Sequence, residues 1–285
     1  NYPDMPQRRG PASAIVPYMK GDKSLQRPLM TSAENVVSSN YGAEQYAKCA
    51  TALNVLRETV MGKELFDKAF KEYAQRWAFK HPMPGDFFRT MEDASAVDLD
   101  WFWRGWFYSV DHTDQSIDQV KWYRVRSEET NMENRSRNVK GGQLGSGGAT
   151  NASASPFDKP EPFSVIPTDS RFYGDFLSRV DDKAILSKME NKNFYEVTLS
   201  NKGGLIMPVI IQWNYKDGTT EIERIPAEIW RNNEYKVTKV FVKDKEVASV
   251  VLDPMEETAD ISTDDNVFPK PSTPTKFDQL RKKGN

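Results

Sequence analysis

Two histidines, His81 and His112, and one cysteine, Cys49, are the only imidazole and thiol groups in the 285 residues. A zinc site takes three or four His, Cys or carboxylate ligands at defined spacing. These three residues stand at unrelated spacings, and neither HExxH nor CxxC occurs. His81 reads as a turn residue ahead of a helix, and His112, within Asp111-His112-Thr113-Asp114, is the better placed of the two for a ligand. Asp260-x-Ser262-x-Asp264 has the opening spacing of a calcium loop but lacks its glycine and closing glutamate, so a solvated acidic tail is expected. The glycines at 141, 142, 145, 147 and 148 lack the Lys-Ser/Thr ending and the flanking strand of a phosphate loop.

Composition narrows the classes further. Lys and Arg number 39 against 41 Asp and Glu, a net charge of −2, which leaves no basic footprint for nucleic acid or anionic lipid. The longest stretch without charged or polar side chains, 205–211, is interrupted by Pro208 and falls far short of the roughly 18 apolar residues of a membrane span. A single cysteine excludes an internal disulfide. Mean hydropathy is −0.69, yet 7 Trp, 15 Phe and 11 Tyr supply large side chains for real cores. The opening Asn1-Tyr2-Pro3-Asp4 has neither an initiator Met nor a signal-like apolar run, and reads as a processed product or a fragment.

The elements that would position any chemistry follow from periodicity. Five prolines make residues 1–40 irregular. Residues 45–61 contain no Gly or Pro and place Tyr46, Ala50, Leu53 and Leu56 on one helix face. Gly62 ends that helix or opens the next. There Leu65, Phe66, Ala69, Phe70, Tyr73 and Trp77 oppose a lysine-rich face. Pro84 and Asp86 suit the first turn of a third helix, and Asp98 the N-cap of a fourth, 101–108, with six aromatics in eight residues. Aromatics on several sides of a helix predict burial on several sides. A strand is expected at 120–125, a flexible Gly-rich linker over 131–156 and a short helix near 172–180. Period-two runs at 194–199, 207–215, 221–225, 235–242 and 246–252 then predict a small antiparallel sandwich. The last run has too few polar positions for a solvated edge.

With these elements in order, the residues resemble a known family. Pro28-Leu29-Met30-Thr31, Tyr41, Tyr46-Ala47-Lys48-Cys49-Ala50, Leu53-x-x-Leu56-Arg57 and Val60-Met61-Gly62-Lys63-x-Leu65-Phe66 appear in sequence. Tyr73, Trp77, His81-Pro82, Asp86-Phe87 and Asp98-Leu99-x-x-Phe102-x-x-Trp106 follow. This order is similar to the helices beyond the zinc site in bacterial zinc aminopeptidases of the aminopeptidase N type, the gluzincin metallopeptidases. The segment ending Asp253-Pro254, with Asp265-Asn266-x-Phe268-Pro269 after it, resembles their appended β-domain.

The resemblance implies an α+β multidomain chain: the helical C-terminal part of a thermolysin-like catalytic domain (1–118), a strand, linker and short helix (119–190), a β-sandwich domain (191–270) and a tail or short helix (271–285). It implies Zn2+ in the parent enzyme, with no zinc ligands in this chain, so the chain alone is expected to be inactive. It assigns catalytic roles to Tyr46, which heads the family's Tyr-x-Lys-Gly motif and steadies the tetrahedral intermediate, and to Tyr41, where the family often places a second active-site tyrosine. Cys49 stands where the family has Gly. Implied partners are a peptide substrate and the N-terminal remainder of the same polypeptide, with no nucleic acid and no membrane span, in a periplasmic or secreted location. The alternative is a non-catalytic helical plus β-sandwich module that binds another protein or a glycan.

Overall fold

The computed structural model describes residues 11–124 and 192–270, with isolated positions at 179, 188 and 189. The Gly-rich linker, the tail 271–285 and nearly all of the expected helix near 172–180 lie outside the described residues.

Proline opens structure in the N-terminal segment where it was expected to break it. Pro11 precedes a 3-10 turn, Ala12–Ile15, and Pro17 sits in the first turn of a short helix, α1 (Val16–Met19). A missing N–H costs nothing there, because the first turn has no intrahelical partner for it. Ile15 and Met19 bury against the helical core. Three more 3-10 turns lead to Asn40.

A continuous helical segment then runs to Val60 in three windings: π over Gly42–Lys48, α over α2 (Cys49–Val55) and π again over Leu56–Val60. Gly62 opens α3 (Lys63–Trp77) at φ +82°, a backbone conformation that glycine adopts without a Cβ penalty. In α4 (Pro84–Ser95), Pro84 is the first residue and the Asp86 carboxylate accepts from the Met83 N–H at 2.9 Å. α5 (Asp100–Tyr108) starts after Leu99, one residue later than an Asp98 cap would place it. Asp98 Oδ1 instead accepts from the Asp100 N–H, and Glu92 of α4 reaches across to accept from the Leu99 N–H at 2.9 Å. Phe102, Trp103, Trp106 and Phe107 are buried, while Tyr108 is exposed. Trp103 stacks on Phe88 of α4 at 4.5 Å between centroids.

The remainder is β1 (Gln115–Arg124), β2 (Asn193–Asn201), β3 (Val209–Tyr215), β4 (Thr220–Ile225), β5 (Lys236–Lys243), β6 (Val247–Leu252) and β7 (Val267–Phe268). They form two antiparallel sheets, ordered β1-β2-β5 and β4-β3-β6-β7. β1 begins five residues before its apolar run, carried there by pairing with β2. β6 lies between β3 and β7, which accounts for its lack of polar positions. Ile117, Tyr195 and Phe241 of one sheet share a single apolar cluster with Ile211, Trp213 and Val250 of the other. The chain is thus α+β.

Two features join the helices to the sheets. Leu205, Met207 and Ala259 belong to the helical core. At Gly203 the backbone of the β2–β3 connection passes so close that a Cβ would lie 2.0 Å from the His112 carbonyl oxygen. The 260–264 segment departs from the solvated tail expected of it. Asp264 is exposed, but Asp260 is 8% exposed, and its carboxylate accepts from the N–H groups of Gln115 and Ser262 and from Asn266 Nδ2.

Candidate active site

The segment 42–60 places its side chains differently from a uniform α-helix. Periodicity put Tyr46 on the face of Leu56, yet Leu56 is fully buried and Tyr46 is 55% exposed. The π winding, with hydrogen bonds spanning five residues instead of four, shifts the phase between the two. Tyr41 is 39% exposed, and its ring centroid lies 6.1 Å from that of Tyr46, tilted by 59°. The structure therefore brings both sequence-predicted tyrosines together on one exposed face.

The opposite face carries charge into the interior. Glu44 is fully buried, its Oε1 accepting from the Tyr18 hydroxyl at 2.9 Å and from the Arg27 N–H at 2.9 Å. Its Oε2 is buried with no hydrogen-bond partner in the structure. Burial and the Glu44 carboxylate hold the Tyr18 phenol well above its ordinary range. Lys48 is equally enclosed, and its Nζ donates to the Ser109 carbonyl at 3.0 Å. Desolvation, with Lys23 nearby, lowers its pKa to about 8. Lys23 donates to the adjacent Val110 carbonyl, so two ammonium groups meet the carbonyl-rich end of α5, where a helix dipole favours cations. Cys49 is half-buried, and burial pushes its thiol pKa up. Glu44 is a site residue that sequence reading missed, since a carboxylate in a helical run reads as solvated surface.

Neither histidine joins this group. His81 is exposed in the connector before α4, and His112 forms an isolated bridge with Gly204, its pKa lowered by burial and by Lys23. Among the described residues, one set of three potential metal ligands converges within 4.8 Å: Glu92, Asp98 and Asp100. Glu92 and Asp98 already accept the backbone N–H groups that open α5, and an all-carboxylate set without imidazole or thiolate is not a zinc centre. Among the described residues, this set does not fit a catalytic zinc ion. A cleft of about 360 Å³ between α5 and the 3-10 turn Ala227–Trp230 is lined by Asp98, Trp101, Arg104 and Trp230, and contains neither Tyr41 nor Tyr46. No helix among the described residues is long and apolar enough to cross a membrane.

Comparison with known proteins bears on the helical part. Residues 14–106, from the turn before α1 into α5, match the peptidase family M1 domain. No curated protein matches the chain. The matched segment contains the Tyr41–Tyr46 pair, the buried Glu44 and Lys48 with the partly buried Tyr18 and Arg27 that bond Glu44, and most of the aromatic run that closes the core. The match over residues 14–106 supports membership of peptidase family M1, the aminopeptidase N family.

Proposed function

We propose that this chain is the C-terminal part of a zinc metalloaminopeptidase, in which Tyr46 donates a hydrogen bond to the oxyanion formed when an N-terminal peptide bond is attacked. The observation that carries the reading is the exposed Tyr41–Tyr46 pair within the M1-matched segment. A phenol suits this role because it offers one O–H donor, and a donor aimed where charge develops is worth more in the transition state than in the ground state. Tyr41, at ring-contact distance, limits where the Tyr46 ring can swing. In this reading the zinc ligands and the water-activating carboxylate come from polypeptide not included in these 285 residues. The two sheets sharing one apolar cluster are an appended β-sandwich, and the substrate is a peptide.

The test is Tyr46→Phe in the polypeptide that carries this chain together with an HExxH zinc site, assayed on an aminoacyl anilide. Removal of one oxyanion donor lowers kcat by roughly 10²–10³, with a smaller change in KM, because the interaction is made mainly in the transition state. The melting temperature stays near the parental value, since the side chain is more than half exposed. Parental kcat in a folded Tyr46→Phe enzyme would remove the assignment and favour a non-catalytic interaction module.

A further inference from the structure

The phase of the helical segment poses a problem that α-winding cannot solve. Ala52 is fully buried and marks the inward face of α2. Tyr41 lies eleven residues earlier, about three turns at 3.6 residues each, so a uniform α-helix would point Tyr41 inward with Ala52. The same winding would set Tyr41 and Tyr46, five residues apart, about 140° from each other around the axis. Neither holds: Tyr41 is 39% exposed, and the two rings lie 6.1 Å apart. The π stretch Gly42–Lys48 supplies the difference, because its wider turn brings positions five apart toward one face.

Such winding is rare and needs a compensating interaction. Glu44 is the residue that gains from it. Its carboxylate is fully buried and accepts two donors from outside the helix, the Tyr18 hydroxyl of α1 and the Arg27 N–H. A buried carboxylate that loses such partners incurs a large desolvation penalty. Lys48, at the end of the same π stretch, is pinned to Ser109 beyond α5. These two charged anchors face inward on the side opposite the tyrosines.

We propose that Glu44 is a positioning residue that holds the helix in its π register, and so rotates Tyr41 out of the core to stand beside Tyr46. The consequence for catalysis rests on the reading of Tyr46 given above, whereas the effect on helix register does not. Glu44 itself touches no substrate in this scheme.

The register is tested on the 285-residue chain by photo-oxidative tyrosine coupling with a ruthenium complex and persulfate, followed by trypsin and mass spectrometry. Residues 24–48 form one tryptic peptide, since Pro28 blocks cleavage after Arg27, and its only tyrosines are Tyr41 and Tyr46. The parental chain is expected to show that peptide lighter by two hydrogens. Glu44→Ala should lose the internal crosslink, and Glu44→Gln, whose amide oxygen still accepts, should keep it. If Glu44→Ala does not fold, Tyr18→Phe removes one of the two donors without removing volume, and should weaken the crosslink. Parental crosslinking in folded Glu44→Ala, or in folded Tyr18→Phe, overturns the inference. In the zinc-bearing polypeptide, Glu44→Ala should lower kcat on the order of 10²-fold with KM little changed, the cost of a misplaced group, and Glu44→Gln should restore it. A silent Tyr46→Phe variant would defeat the functional reading yet leave the crosslinking result to judge Glu44 alone.

Discussion

At the scale of single residues, burial has changed what an acidic side chain does. Asp260 sits among three N–H donors but is withdrawn from water, and desolvation dominates, raising its pKa from an ordinary 3.8 to about 6. Below pH 4 the carboxyl is protonated in both the folded and unfolded chain. Between roughly pH 4 and 6 the folded chain keeps a proton that the unfolded chain has lost, so stability falls as pH rises through this window. At about 1.4 kcal/mol per pKa unit, the decline is on the order of 2–3 kcal/mol. Hydrogen bonds to Ser24 and to Ser200 lower the pKa values of Asp22 and Asp118, which act in the opposite direction. The informative quantity is therefore the difference between the parent and Asp260→Asn in urea unfolding across pH 4–7. The variant should lose this part of the slope, and an identical slope would show that Asp260 titrates normally.

At the scale of elements, the two sheets are clasped at one margin by a lysine. Lys243 at the end of β5 has a side chain only 7% exposed, and its Nζ donates to Glu221 and Glu223 of β4, each at 2.9 Å. The ammonium also lies 4.7 Å from the centre of the Trp213 ring of β3. Desolvation falls mainly on the lysine, because the two carboxylates remain partly exposed. Removing Lys243 therefore leaves solvated acids and no stranded buried charge, and the cost stays below the 3–5 kcal/mol typical of a broken buried pair. Lys243→Ala should cost about 2 kcal/mol by chemical denaturation. Lys243→Met, which retains the stem over Trp213, should cost about 1 kcal/mol. Equal penalties for Met and Ala would mean that charge, and not packing over the indole, governs this margin.

At the scale of the whole molecule, the helical core and the sheet core are two clusters tied together by the β2–β3 connection. Leu205 leaves β2 and buries fully in the helical cluster, where α5 turns Gly105 toward it, and a Cβ at Gly105 would meet the Leu205 side chain at 2.4 Å. Trp230 of the 3-10 turn after β4 donates to the Met207 carbonyl at 2.9 Å, tying the sheet cluster to the same connection. A shared connection predicts one cooperative unfolding transition. Leu205→Ala should cost about 3 kcal/mol, the usual range for a fully buried leucine, and should lower the melting of helix and sheet signals together. Calorimetry that resolves two transitions, only one of them shifted, would show that the helices and sheets unfold independently.

Much of the fold is legible in the sequence because it rests on local rules. The 3.6-residue period of α3, the Pro84 and Asp86 signals of α4, Gly62 between helices and the alternation of the β-runs each arise from contacts a few residues apart. The order of those elements carried the family resemblance, and Tyr41 and Tyr46 with it. The placement of these two side chains was not legible. A uniform α period turns Tyr41 inward with Ala52 and sets it about 140° from Tyr46, whereas the folded helix exposes both tyrosines with their rings 6.1 Å apart. The deciding contacts, from Tyr18 and Arg27 to Glu44 and from Lys48 to Ser109, span 26, 17 and 61 residues, and no window of sequence contains them all. Likewise Asp260 is buried only because the starts of β1 and β7 converge on it. Local chemistry determined which elements form and in what order. Tertiary structure alone decided the hydrogen-bond register of one helix and the burial of a few charged groups, because those depend on partners distant along the chain.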